Sequence, residues 1–138
     1  MFTILIADDN IVFAKILVNT IIGKLDNLRI VKIATDEREA LELMNSQNID
    51  IILIDLKMPI LSGAQVLSML SEEKKKNYEN SVIVITGEPS YIPEIIDNPM
   101  IFSIVSKGSG QTENILMNIK KLIDSKSNDL KYKKIIYE

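Results

Sequence analysis

The 138-residue chain contains no cysteine and no histidine. Without cysteine there can be no disulfide and no thiolate metal site, which is compatible with a reducing compartment. Without histidine the chain lacks the commonest general base and the commonest metal-ligating side chain. Any metal must therefore be held by oxygen, which favours magnesium, manganese or calcium. Excess charge of one sign is also missing. The 16 basic and 19 acidic residues leave a formal net charge of -3, so broad, nonspecific nucleic-acid binding is not expected. No apolar run approaches the length of a membrane span. The first apolar run leads straight into Asp8-Asp9, not into a basic segment and a cleavage site. No signal peptide is expected, and the cytoplasm is the expected location. There is no internal repeat.

What is present is ordinary for a soluble globular protein: 46% hydrophobic and 25% charged residues, in a length that suits one domain with a real core. Two periodicities alternate. Short Ile- and Val-rich runs read as buried strands over 2–7, 29–34, 50–55, 81–86 and 101–106. Amphipathic helical segments lie between them over 11–25, 36–47 and 63–76, and again over 111–123. Asp36 is placed to cap the second helix, with Glu39 at capping-box spacing. Pro89, Pro93 and Pro99 crowd the fourth connection, so only a short or irregular helix is expected near 91–97. Strand–helix alternation of this kind implies an α/β fold with a parallel sheet covered by helices on both faces.

Four of the five strand-like runs share one property: each ends on a polar group. They end on Asp8-Asp9, on Asp55, on Thr86-Gly87 and on Lys107. In a parallel sheet these endings gather at the carboxyl edge, where open α/β sheets bind ligands. Each residue alone has a plain structural explanation. Asp8 and Asp9 could form a turn or cap a helix, Thr86 suits a strand, and Lys107 could be a solvated strand end. Asp55 is the exception, because a carboxylate closing a buried strand must be paired, coordinated or protonated. Three converging carboxylates repel one another, and a magnesium ion relieves that repulsion. Carboxylates also serve as phosphoryl nucleophiles. Asp55 is then the best acceptor, Lys107 a point charge for a phosphoryl oxygen, and Thr86 a hydroxyl donor beside Gly87.

With these residues in view, the chain resembles the receiver domain of two-component response regulators over 1–123. The resemblance rests on Asp8-Asp9, on Asp55 followed by Met58-Pro59 and Gly63, on Thr86-Gly87, and on Lys107. It implies a flavodoxin-like (βα)5 three-layer sandwich with a five-stranded parallel sheet in the order 2-1-3-4-5. It implies that Asp55 accepts a phosphoryl group from a histidine kinase or phosphotransfer protein, or from a small acyl phosphate. Asp9, Asp55 and the Lys57 carbonyl would ligate Mg2+ (or Mn2+), and Asp8 would act through a water. Thr86 and Lys107 would hold the phosphoryl oxygens, with intrinsic self-phosphorylation and autodephosphorylation. Lys57 and Glu88 would flank the attacking water and modulate phosphoryl lifetime, pairing across the mouth. Position 104, with Thr86, would form the switch.

Three departures stand out. Gly108 follows the lysine where the family usually has proline, so a trans peptide is expected. Ile104 occupies the usual aromatic position; Phe102, two residues earlier, should face the same side by strand alternation. The prolines of 89–99 replace an ordinary fourth helix. The tail, 124–138, is a C-terminal extension or a linker too short for a DNA-binding domain, so no direct nucleic-acid or membrane contact is expected. Leu116, Ile123, Leu130 and Tyr137 recur at seven-residue spacing, which would suit a monomer or a weak homodimer. The competing reading is a phosphorylation-independent protein-interaction domain with a degenerate switch. A haloacid-dehalogenase-type phosphatase is disfavoured because Asn10 stands where a second aspartate is wanted. A flavodoxin is disfavoured for lack of a Ser/Thr/Gly-rich phosphate loop.

Overall fold

A computed structural model describes residues 1–58, 62–87 and 89–137, with side chains except those of Val31, Pro89, Tyr91, Glu94 and 128–137. Five parallel strands, β1 (Phe2–Ala7), β2 (Leu28–Ala34), β3 (Ile51–Asp55), β4 (Val82–Thr86) and β5 (Ile101–Ser106), form one sheet in the order β2-β1-β3-β4-β5. The expected order and parallel pairing are both present. Every residue of β3 and β4 is buried, which explains why those runs are apolar on both faces and do not alternate.

Period-2 alternation sorts the strand side chains into two cores. Leu5, Ile52, Ile54 and Val84 face α2 (Glu37–Ser46) and α3 (Gly63–Ser68), which contribute Ala40, Met44, Val66 and Leu67. Ile4, Ile6, Leu53 and Ile83 face α1 (Ile11–Lys24) and α5 (Gln111–Tyr137), which contribute Leu17, Ile21, Ile115 and Ile119. The result is the three-layer sandwich.

The helix starts follow local chemistry. Asn10 caps α1 by accepting from the Phe13 N–H, and Asp36 caps α2 by accepting from the Glu39 N–H. Glu39 also faces Lys32 at 3.5 Å. The single helix expected over 63–76 is in fact two. Leu70 is drawn into the core after α3, and Ser71 restarts the chain as the cap of α4 (Glu72–Asn77), accepting from the Lys74 N–H. A buried leucine followed by a cap and two glutamates makes the break more favourable than continuation. The fourth connection is a 3-10 turn over Pro89–Glu94, because Pro93 inside it supplies no N–H.

Two expectations about β5 and α5 are corrected. A bulge between Val82 and Ile83 in the β4–β5 pairing places Phe102 with the α1/α5 core, whereas Ile104 packs with the α2/α3 core. Phe102 and Ile104 therefore face opposite ways; the extra residue of the bulge reverses the alternation. The fifth helix does not stop near 123 but runs unbroken to Tyr137. Leu116 and Ile123 of the seven-residue series belong to the α1/α5 core and are not a free stripe; the side chains of Leu130 and Tyr137 lie outside the described residues.

Candidate functional site

Strand register assembles the polar endings. Ala7 pairs with Ile54, so Asp8 emerges beside Asp55. Asp55 pairs with Ile85, which puts Thr86 one step beyond it. Thr86 pairs with Ser106, and the Lys107 N–H donates to the Thr86 carbonyl at 2.8 Å. Thus Asp8, Asp9, Asp55, Thr86 and Lys107 all lie at the carboxyl edge, as their positions in the sequence imply.

Lys107 Nζ donates to Asp55 Oδ2 at 2.8 Å and to Asp8 Oδ2 at 3.3 Å. It does so with the peptide to Gly108 in the trans form, since the described residues include no cis bond. The other oxygens are held by the turning backbone: the Asn10 N–H donates to Asp8 Oδ1 at 2.9 Å, and the Lys57 N–H to Asp55 Oδ1 at 3.0 Å. Asp8 and Asp55 are buried and Asp9 is exposed, yet one carboxylate oxygen from each lies within 4.8 Å of the others. Three hard anionic oxygens at that spacing, with no nitrogen or sulfur donor among them, fit Mg2+ or Mn2+.

Burial pushes the Asp8 carboxyl above its ordinary value, and the nearby Asp55 charge adds to that, against the opposing pull of the Asn10 N–H and Lys107. For Lys107, burial alone would lower the ammonium, but the bond and charge of Asp55, followed by Asp8, raise it on balance. The ammonium stays charged, and the pocket holds more negative charge than one lysine neutralises.

The remaining predicted positions divide. Thr86 is buried at the end of β4. The Lys57 side chain is exposed at the mouth while its backbone N–H serves Asp55. Glu88, its expected partner, lies outside the described residues, as does Pro59. Ile104 is half-buried, two residues short of the strand-end pairing of Thr86 with Ser106. Gly63 has a steric reason: a Cβ there would sit 2.6 Å from the Asp55 carbonyl oxygen. The stem of Lys107 passes Gly87 at ordinary contact distance, 3.8 Å from where a Cβ would stand. One residue escaped the sequence reading. The Phe13 ring lies under the Lys107 ammonium, 5.0 Å from ring centre to Nζ, and a phenylalanine in an apolar helix carries no signal that distinguishes it from core.

Comparison with known proteins agrees with this geometry. Residues 4–120 match the family model described as response regulator receiver domain. The chain is 32% identical over 85 residues, 62% of its length, to stress response regulator protein 1 of Debaryomyces hansenii, and the match spans 35% of that longer protein. Among solved structures it is similar to a CheY-like receiver domain protein from Methanospirillum hungatei, with a TM-score of 0.77, 19% identity, and 94% and 98% of the two chains covered. It is also similar to the response regulator TrrA of Thermotoga maritima in complex with Mg2+-BeF, with a TM-score of 0.72, 24% identity, and 88% and 99% covered. No helix among the described residues is long and apolar enough to cross a membrane.

Proposed function

The chain belongs to the response regulator receiver family, and on that footing we propose that it is a phosphoacceptor whose receiver spans 1–123, with 124–138 as a C-terminal extension or linker. One observation carries the reading: the buried Asp55 carboxylate is held by Lys107 at 2.8 Å and shares its edge with Asp8 and Asp9 within 4.8 Å.

Asp8, Asp9, Asp55 and the Lys57 carbonyl would hold Mg2+. When bound, the ion screens the carboxylates from one another and offsets charge on the incoming phosphoryl oxygens. An Asp55 oxygen attacks phosphorus in line. The N–P bond of a phosphohistidine breaks, its electron pair stays on the imidazole, and an acyl phosphate forms on Asp55. Lys107 releases Asp55 Oδ2 and follows the charge onto a phosphoryl oxygen, while the Thr86 hydroxyl donates to another. Attack by water on phosphorus then breaks the P–O bond and regenerates the carboxylate. Lys57, exposed at the mouth, and Glu88, two residues after Thr86 in the sequence, modulate that water; unchanged phosphoryl decay in both Lys57→Ala and Glu88→Ala would remove this role.

The phosphodonor is a histidine kinase or phosphotransfer protein, and the output is contact with a downstream protein. Exposed Ile11, Val12 and Ile16 on α1, beside Asp8-Asp9, support an apolar docking face at the site. The second reading, a phosphorylation-independent interaction domain, is favoured by one observation: aliphatic Ile104 packs where the family carries an aromatic.

Intact mass after incubation with Mg2+ and acetyl phosphate separates the two. One added phosphoryl group on the wild type and none on Asp55→Asn is expected. No added mass, together with no beryllofluoride binding, would overturn the phosphoacceptor reading in favour of the second.

A further inference from the structure

We propose that Phe13 is a positioning residue for Lys107, its ring holding the ammonium at the acceptor when the carboxylates turn to the cation. This rests on the phosphoacceptor reading and adds a residue to it.

Lys107 hangs on Asp55 and Asp8, at 2.8 and 3.3 Å. Those are the carboxylates a divalent cation draws to itself, and the cation also repels the ammonium. At that moment the lysine loses its two anionic anchors. The backbone around it is held, with the Lys107 N–H on the Thr86 carbonyl and the Gly108 N–H on Gln111 Oε1 at 2.9 Å, but these bonds fix the chain and not the ammonium at the end of a long side chain. Among the described residues the Phe13 ring is the Lys107 partner that remains. At 5.0 Å from ring centre to Nζ it is within cation–π range, and it carries no lone pair for which a hard cation competes.

The site itself places the ring. The Asn10 N–H donates to Asp8 Oδ1 at 2.9 Å, and Asn10 Oδ1 accepts from the Phe13 N–H at 3.0 Å. A short chain of hydrogen bonds thus ties the first turn of α1, and Phe13 with it, to a carboxylate of the acidic cluster. Phe13 also packs against the α1/α5 core. A purely structural role would weaken all binding and would not depend on Lys107.

The full-length protein decides between these roles. Phe13→Leu keeps apolar bulk and removes the ring, whereas Phe13→Tyr keeps the ring. Mg2+ binding is followed by amide NMR, and beryllofluoride binding is then titrated in saturating Mg2+. Expected for Phe13→Leu is beryllofluoride binding weakened about 3- to 10-fold, with Mg2+ affinity unchanged or tighter, and rescue in Phe13→Tyr. In a Lys107→Ala background Phe13→Leu should have no further effect. Equal beryllofluoride affinity in wild type and Phe13→Leu would overturn the proposal, as would an equal loss with and without Lys107. If the wild type bound no beryllofluoride, the phosphoacceptor reading would fail instead. A metal-free double-mutant cycle in denaturant then tests the contact itself: a Phe13–Lys107 coupling of about 2- to 5-fold in the folding constant supports it, and no coupling overturns it.

Discussion

The two edges of the sheet treat buried polar groups in opposite ways. At the amino edge three of them are matched, although the buried Ser103 hydroxyl in the first half of β5 has no partner among the described residues. The Tyr78 hydroxyl, pushed upward in pKa by burial, donates to the Met44 and Gln47 carbonyls at 2.7 and 2.8 Å, closing the end of α2. Asp50 accepts from the N–H and hydroxyl of Thr3. Ser81 accepts from Lys126 at 2.9 Å, which ties the extended α5 to the start of β4. At the carboxyl edge Asp8 and Asp55 share Lys107, with an Asp9 oxygen within 4.8 Å of theirs, and burial raises Asp8 despite that partner. Matched groups hold the fold together, whereas on the phosphoacceptor reading proposed above the carboxylates of the other edge would serve a cation and a phosphoryl group.

Gly63→Ala should break this division most severely, because it sits on both accounts. Its methyl would meet the Asp55 carbonyl oxygen at 2.6 Å, so the β3–α3 turn must shift. We expect a loss of about 1–3 kcal/mol in denaturant unfolding, accompanied by weaker Mg2+ binding. Retained Mg2+ affinity would show that the acidic cluster tolerates movement of its own strand end. Tyr78→Phe should act on stability alone. It removes the side-chain donor of the buried Met44 carbonyl, whereas the Gln47 carbonyl keeps Lys74 Nζ at 3.3 Å, and this costs about 1–2 kcal/mol. A change in its Mg2+ titration would mean that the edges are coupled.

Asp8→Asn should show the smallest effect and the opposite sign. The folded Asp8 carboxyl binds its proton more tightly than the unfolded one, so at neutral pH its ionisation opposes folding. Removing the charge should raise the melting temperature of the metal-free protein while abolishing the Mg2+-dependent rise expected of the wild type. The advantage should shrink as pH falls through the raised Asp8 pKa toward the ordinary carboxylate range, where the wild-type group becomes neutral too. Lower stability of Asp8→Asn at pH 7 would show that the Lys107 contact outweighs burial.

Much of the site was legible because a strand buried on both faces has to be apolar throughout, so the polar residue that ends it stands out. Asp8, Asp55, Thr86 and Lys107 were all found in this way, and the α2 cap at Asp36 followed from local chemistry. The break at Ser71 was also written locally, as a serine followed by Glu72-Glu73, but the apolar period of 63–70 masked it. The side taken by Phe102 was not legible, because a bulge depends on how β4 and β5 slide together. Nor was the role of Phe13, which exists only once α1 passes over the end of β5.

By itself, then, the sequence determined the element order, the parallel sheet and the residues of the acidic cluster, since burial and chain direction act on neighbours along the chain. Only the tertiary structure decided which oxygens Lys107 spans, which core Phe102 joins, where α5 ends and what lies under the ammonium. Those depend on register and helix placement, which are settled by residues tens of positions apart packing to one density.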